Sequence, residues 1–315
     1  MKTQSRRIYK AEIQSRLARV EPVEARWAIE DCLLGKISPS IALARMVLAT
    51  GSAEETEAVL DAVERDWEPL LPQMLTQMTR LVRQNRRGCH QISEMLNEHP
   101  DPYQRFTSTE EGIETCRSFF DRAVRRSEEA SVAAWSLGNP KLLEKGTREI
   151  VELFERWGLL GPDRKALEIG CGIGRFQIAF APRLAETHGL DISPEMIEAA
   201  RRRCAGLPNV VLSVGSGRDL AGYPDQGFDL VFAVDSFPYI HNVGRDLAET
   251  HFREVARVLR PGGDFVILNF SYRDDVISDV SEVHFLAALS GFEVETAGEK
   301  PFRLWDGVAF RLRRV

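Results

Sequence analysis

The chain has 315 residues, 43% of them hydrophobic and 28% charged, which excludes long disorder and fibrous repeats and leaves room for two compact units. Its 41 basic residues against 47 acidic ones give a formal net charge of -6, so no broad positive field is present to hold a phosphate backbone. Nucleic acid is therefore a poor partner, and basic runs such as Arg201-Arg202-Arg203 read as solvated helix faces.

From Tyr9 to about Leu96 the pattern is helical, with Leu71, Met74, Leu75, Met78, Leu81 and Val82 recurring at three- and four-residue steps on one face. That face is read as core or subunit interface rather than as an adaptable groove. Ser38-Pro39 and the Ser52/Glu55 capping box mark helix starts. Asn97-Glu-His-Pro-Asp-Pro102 is rich in turn formers and is read as a linker. A second helical stretch, from about Thr107 to Trp157 and interrupted at Gly138-Asn139-Pro140, is placed to cap a site.

Short β-rich segments then alternate with helical ones: Ala166–Ile169, Thr187–Leu190, Val210–Val214, Phe228–Val234, Asp264–Asn269, Phe292–Thr296 and Val308–Leu312. The alternation predicts an α/β fold, a doubly wound, mostly parallel seven-stranded sheet, preceded by an all-α domain. The expected division is a helical domain over residues 1–100, a linker and helical cap over 101–160, and the α/β domain over 161–315.

Leu167-Glu168-Ile169-Gly170-Cys171-Gly172-Ile173-Gly174-Arg175 is an apolar strand entering a glycine turn and then a helix. Glycines allow backbone to approach a ligand, and the helix start presents free N–H groups. The sixth position of a dinucleotide fingerprint is Arg175 here instead of glycine. Asp191 follows at a strand end before Ile192-Ser193-Pro194-Glu195-Met196, where a carboxylate accepts ribose hydroxyls; this fits either a dinucleotide or another nucleoside cofactor.

Glu168, Gly170, Gly172 and Gly174 fill the first motif of the class I S-adenosylmethionine-dependent methyltransferases, which the chain resembles from about Ala166 to Val315. Phe228-Asp229-Leu230-Val231 looks like that family's fourth strand, and Leu259-Arg260-Pro261-Gly262-Gly263 like the turn before its fifth. The resemblance implies S-adenosylmethionine as cofactor. It implies that the turn of Gly170, Cys171, Gly172 and Gly174 wraps the methionine part, with Glu168 toward the amino group. Asp191 is then the ribose ligand, Ile192 and Met196 flank adenine, and Ala233 completes the set. The family's Gly-Asp-Ala after the third strand is Gly215-Ser216-Gly217 here. Ser216 and the Gly217 backbone are the substitutes, with Asp219 a further candidate if the loop shifts.

On the acceptor side, Asp235-Ser236-Phe237-Pro238-Tyr239-Ile240-His241 follows the fourth strand, where open α/β sheets place ligands. Methyl transfer needs a positioned nucleophile and, for hydroxyl or ammonium acceptors, a proton acceptor. His241 is the leading base candidate, Asp235 the next, and Tyr239 belongs to a faint likeness of the Asp/Asn/Ser-Pro-Pro-Tyr motif of amino-methylating enzymes. Trp135, Tyr272, Phe302 and Trp305 are read as core aromatics. Arg175 and Arg218 are read as exposed structural arginines.

Methylation of a small-molecule acceptor at O or N is thus expected, with a homodimer through the N-terminal helices as a further expectation. Alternatives are N-methylation of a protein or nucleic-acid amine, a Rossmann oxidoreductase, or a partner-binding protein that senses S-adenosylmethionine without turnover. Five cysteines (Cys32, Cys89, Cys116, Cys171, Cys204) without CxxC or Cys/His spacing read as reduced, mostly buried thiols, and no metal site is expected. No run of about 18 apolar residues occurs, and MKTQSRRIYKAEIQSR lacks the apolar core of a secretory signal, so a cytoplasmic protein off the membrane is expected.

Overall fold

The computed structural model describes residues 2–96 and 106–315, so the turn-rich segment read as a linker lies outside the described residues. Among the described residues the chain divides into two compact units. The first is built from α1 (Lys2–Leu17), α2 (Val23–Leu33), α3 (Pro39–Thr50), α4 (Ala53–Trp67), α5 (Gln73–Gln84) and α6 (Arg86–Leu96), together with residues 129–146 and 303–306. Its helix starts follow the expected chemistry. The Ser38 hydroxyl accepts the Ile41 amide at 3.3 Å, with Pro39 opening the helix, and the Ser52 hydroxyl accepts the Glu55 amide at 3.0 Å. Leu75, Met78 and Val82 are fully buried, so the methionine-bearing stripe packs as core.

The second unit contains α7 (Thr109–Arg126), which begins where the Ser108 hydroxyl accepts the Glu111 amide at 3.2 Å. α8 (Glu128–Val132) and α9 (Pro140–Arg156) follow along the chain. The α/β part then runs β1 (Lys165–Ile169), α10 (Arg175–Phe180), β2 (Glu186–Asp191), α11 (Pro194–Arg203), β3 (Val210–Val214), β4 (Phe228–Val234), α12 (Phe237–Val243) and α13 (Arg245–Val258). It ends with β5 (Leu259–Leu268), α14 (Val276–Ser290), β6 (Phe292–Glu299) and β7 (Ala309–Arg314).

The seven strands lie in the order β3-β2-β1-β4-β5-β7-β6, and only β7 runs antiparallel to its neighbours. Between β1 and β4 the winding reverses, which opens a crevice at the carboxyl ends of those strands. The glycine-rich turn before the fifth parallel strand is absorbed into β5: Leu259 pairs with Phe228 and Asp264 with Leu230, so Arg260, Pro261 and Gly262 bulge out exposed. Phe232 on β4 meets Phe154, Phe176 and Phe180 with ring centroids 5.4, 6.1 and 5.4 Å apart. Phe237, Phe252, Phe265 and Phe270 belong to a second aromatic core. These two cores hold the strand ends rigid beneath the crevice.

Candidate active site

The turn after β1 takes positive φ at Gly170 (75°), Gly172 (51°) and Gly174 (76°), backbone that side-chain-bearing residues rarely adopt. At Gly170 a Cβ would stand 2.3 Å from the Ser236 Cβ, so the closeness of this turn to the start of α12 itself demands glycine. The Gly170 and Cys171 amides both donate to the Leu190 carbonyl, at 2.7 and 3.0 Å, and the Gly172 amide donates to the Asp191 carboxylate at 2.8 Å. The Ser193 amide donates to the same carboxylate at 2.9 Å. Asp191 is 8% exposed, and its burial pushes the carboxyl up to about 6 despite those two donors.

Glu168 lies at the end of β1, 2% exposed, and accepts the Gln177 amide group at 2.8 Å. Burial raises its carboxyl to about 8. Cys171 is buried and its thiol is pushed well above the usual range, first by burial, so it is an inert small side chain in the turn. Arg175 is not an exposed arginine as its sequence setting suggested. It opens α10 at 9% exposure, stands over the Phe176 ring at 4.5 Å, and leaves its Nη1 buried without a hydrogen-bond partner. Arg218 is exposed and pairs with Glu110 at 3.1 Å.

α7 covers the start of α11. The Asp121 carboxylate accepts the Ser193 hydroxyl at 2.5 Å, Arg117 Nε donates to the Ile192 carbonyl at 3.2 Å, and Arg125 pairs with Glu195 at 2.7 Å. Gly217, at φ 75°, sits in a slot where a Cβ would lie 2.9 Å from Ile192 Cγ2 and 3.0 Å from Ile113 Cγ2. Ile113, Arg117 and Asp121 share one helix face at four-residue spacing, a signal in the sequence that the reading above did not take up. Met196 is buried beneath, the Ala233 methyl packs into the core below β4, and Ser216 is exposed, its hydroxyl accepting the Arg218 amide at 3.1 Å.

At the carboxyl ends of β4 and β5, Asp235 (φ 60°) and Asn269 (φ 67°) both hold strained left-handed backbone, a pattern that clusters at functional sites. Asn269 Nδ2 donates to Asp235 Oδ1 at 2.9 Å, and the Tyr272 hydroxyl donates to the same oxygen at 2.8 Å. Tyr272 is thus not a core aromatic: it is 41% exposed and edge-on to Tyr239, which is itself edge-on to Phe120 of α7. Burial and then the Asp235 carboxylate hold the Tyr239 phenol well above its ordinary range. The structure therefore brings Asp235, Tyr239 and Tyr272 together. His241 instead packs on Phe270 and places Nε2 3.3 Å from Glu282, whose carboxylate Arg273 also holds at 2.9 Å. The His241 hydrogen bond comes first among the causes that lower Glu282 to about 2.

All five cysteines are unpaired and buried, and no cluster of three metal-ligating side chains occurs among the described residues. No helix among them is long and apolar enough to cross a membrane.

Residues 166–263 match the family model described as a methyltransferase domain. With the strand order above, this part of the chain is a class I S-adenosylmethionine-dependent methyltransferase domain. Among curated proteins, the chain is similar to sterol 4-C-methyltransferase strm-1 of Caenorhabditis elegans, 25% identical over 67% of each chain. It is also similar to Methyltransferase GfsG of Streptomyces halstedii, 35% identical over 45% of this chain and 51% of that one. Across such relatives the matched part spans between 42% and 67% of their length. Among solved structures, phosphoethanolamine N-methyltransferase 1 of Haemonchus contortus, in complex with phosphoethanolamine and S-adenosylhomocysteine, matches with a TM-score of 0.52. That likeness covers 66% of this chain and 50% of the other at 17% identity, and concerns the fold.

Proposed function

We propose that this protein transfers a methyl group from S-adenosylmethionine to an oxygen or nitrogen of a small-molecule acceptor. The observation that carries the reading is the glycine turn tied by its Gly172 amide to the buried Asp191 carboxylate, within a methyltransferase domain. The residues fit the cofactor: a glycine turn of positive φ packed against the start of α12, a buried carboxylate at Asp191 for ribose hydroxyls, and Gly217 held close to Ile192 and Ile113. In this reading Gly170, Cys171, Gly172 and Gly174 wrap the methionine chain, Glu168 faces its ammonium, Ile192 and Met196 flank adenine, and Ser216 and Gly217 border the ring.

Bound there, S-adenosylmethionine supplies an electrophilic methyl on a sulfonium. The chain's own residues orient the acceptor and exclude water. Asp235 accepts the acceptor's proton, directly or after the Tyr272 hydroxyl turns away from it. Tyr239, held protonated and seated edge-on against Phe120, donates a hydrogen bond to the acceptor. His241, paired with Glu282, is the second candidate base. α7 is the cap. A homodimer through the N-terminal helices belongs to this reading, favoured by the exposed Trp27 and Leu48 (57% and 53%), and so does a cytoplasmic setting, favoured by the five unpaired cysteines.

The test is methyl transfer from labelled S-adenosylmethionine to a panel of phenols, carboxylic acids and amines. Label on one acceptor class supports the proposal. Saturable cofactor binding with no transfer to any class favours a cofactor-sensing protein instead.

A further inference from the structure

Two buried groups of opposite charge stand near each other at the carboxyl end of β1 without pairing. Glu168 is 2% exposed and accepts Gln177 Nε2, while Arg175 is 9% exposed with Nη1 buried and unpartnered. A buried guanidinium that serves only as a structural counterion is expected to be hydrogen-bonded, because an unpaired buried charge is strongly destabilising. Asp235, the other carboxylate close enough to act on Arg175, already accepts Asn269 Nδ2 and the Tyr272 hydroxyl. Burial pulls the Arg175 guanidinium down to about 10 and pushes the Glu168 carboxyl up to about 8, and the attraction between the two offsets only part of either shift.

We infer that Arg175 and Glu168 form a reading head for a zwitterion, in which Arg175 takes the carboxylate of the bound methionine moiety and Glu168 its ammonium. The inference rests on the cofactor reading above and assigns Arg175 a role in it. An α-amino acid carries both charges on one carbon, so a buried acid and a buried guanidinium that feel each other's field match it. A guanidinium whose Cζ stands 4.5 Å over the Phe176 ring is held by that face and suits a carboxylate. The arrangement also gives selectivity. Adenosine compounds lacking the amino-acid head leave the Arg175 charge buried and unanswered and give Glu168 no ammonium to ionise against.

The probes are S-adenosylmethionine, decarboxylated S-adenosylmethionine and 5′-methylthioadenosine, titrated calorimetrically into the full chain. The wild type is expected to bind the decarboxylated form about 100-fold more weakly than S-adenosylmethionine, the loss typical of a buried charge left unpaired. Arg175→Gln is expected to lose affinity for S-adenosylmethionine by a similar factor, to bind the decarboxylated form as the wild type does, and to leave 5′-methylthioadenosine binding unchanged. Arg175→Lys keeps the charge without the fork and falls between the two. If Arg175→Gln does not fold, the wild-type discrimination and Arg175→Lys decide alone. Equal wild-type affinity for both sulfonium compounds, or an Arg175→Gln protein that still discriminates between them, overturns the inference while leaving the methyltransferase reading intact. Failure of the wild type to bind S-adenosylmethionine at all overturns both.

Discussion

The Asp191 carboxylate at the end of β2 accepts the Gly172 amide at 2.8 Å, so one buried side chain both shapes the glycine turn and faces the place where a ribose fits. Removing it strikes both roles. Asp191→Ala is expected to weaken S-adenosylhomocysteine binding by at least about 100-fold. The Gly172 and Ser193 amides left without an acceptor cost about 1–3 kcal/mol of stability. Calorimetric titration and a thermal melt of the same protein separate the two effects.

Titration of the pocket carboxyls predicts a pH dependence. Glu168 and Asp191 are raised from 4.5 and 3.8 to about 8 and about 6, so the unliganded fold holds protons that the unfolded chain has lost. Stability from this source is complete below about pH 4 and is lost as pH rises through 6 and then 8. A ligand ammonium against Glu168 and ribose hydroxyls against Asp191 favour the ionised forms. Cofactor affinity therefore rises between pH 5 and 8, and at pH 7 binding releases about one proton, most of it from Glu168. Titrations in two buffers of different ionisation heat measure that release; none, or net uptake, contradicts the assignment.

Legibility differed by region. The sheet and its glycine turn were readable because strand periodicity and positive-φ glycines are local properties, and the seven segments fall where the strands are. Arg175 was not. A charged residue opening a helix reads as exposed until the fold closes Phe176 and the β1 end around it, and burial is a tertiary property. Tyr272 failed for the same reason in reverse, since nothing in its neighbourhood marks a tyrosine whose hydroxyl reaches Asp235, 37 residues away.

Gly217→Ala places a Cβ within 3.0 Å of Ile113 and Ile192 at a φ of 75°. Left-handed backbone and the narrowed slot together are expected to cost about 1–2 kcal/mol of stability. Cofactor affinity falls by about tenfold or more when the slot narrows. A melt shift without an affinity change would place adenine elsewhere.

Asp235→Asn keeps the size of the side chain and removes its charge. With an acceptor found in the transfer panel, the rate is expected to fall about 100-fold or more while S-adenosylhomocysteine affinity stays within about threefold. His241→Ala in the same assay ranks the second base; a larger loss there than at Asp235 reverses the order of the two.

Phe232→Ala tests the support beneath the crevice. Phe232 is fully buried against Phe154, Phe176 and Phe180, and its truncation is expected to cost about 3–5 kcal/mol. A melting midpoint lowered by about 6–20 °C follows for a unit of this size.

S-adenosylmethionine is expected to sit in the crevice at the carboxyl ends of β1 and β4. Calorimetric titration of the full chain with S-adenosylhomocysteine, with NADH as the control, tests it most directly. Saturable one-to-one binding of S-adenosylhomocysteine, abolished in Asp191→Ala and absent with NADH, is the predicted result; binding of NADH without S-adenosylhomocysteine would contradict it.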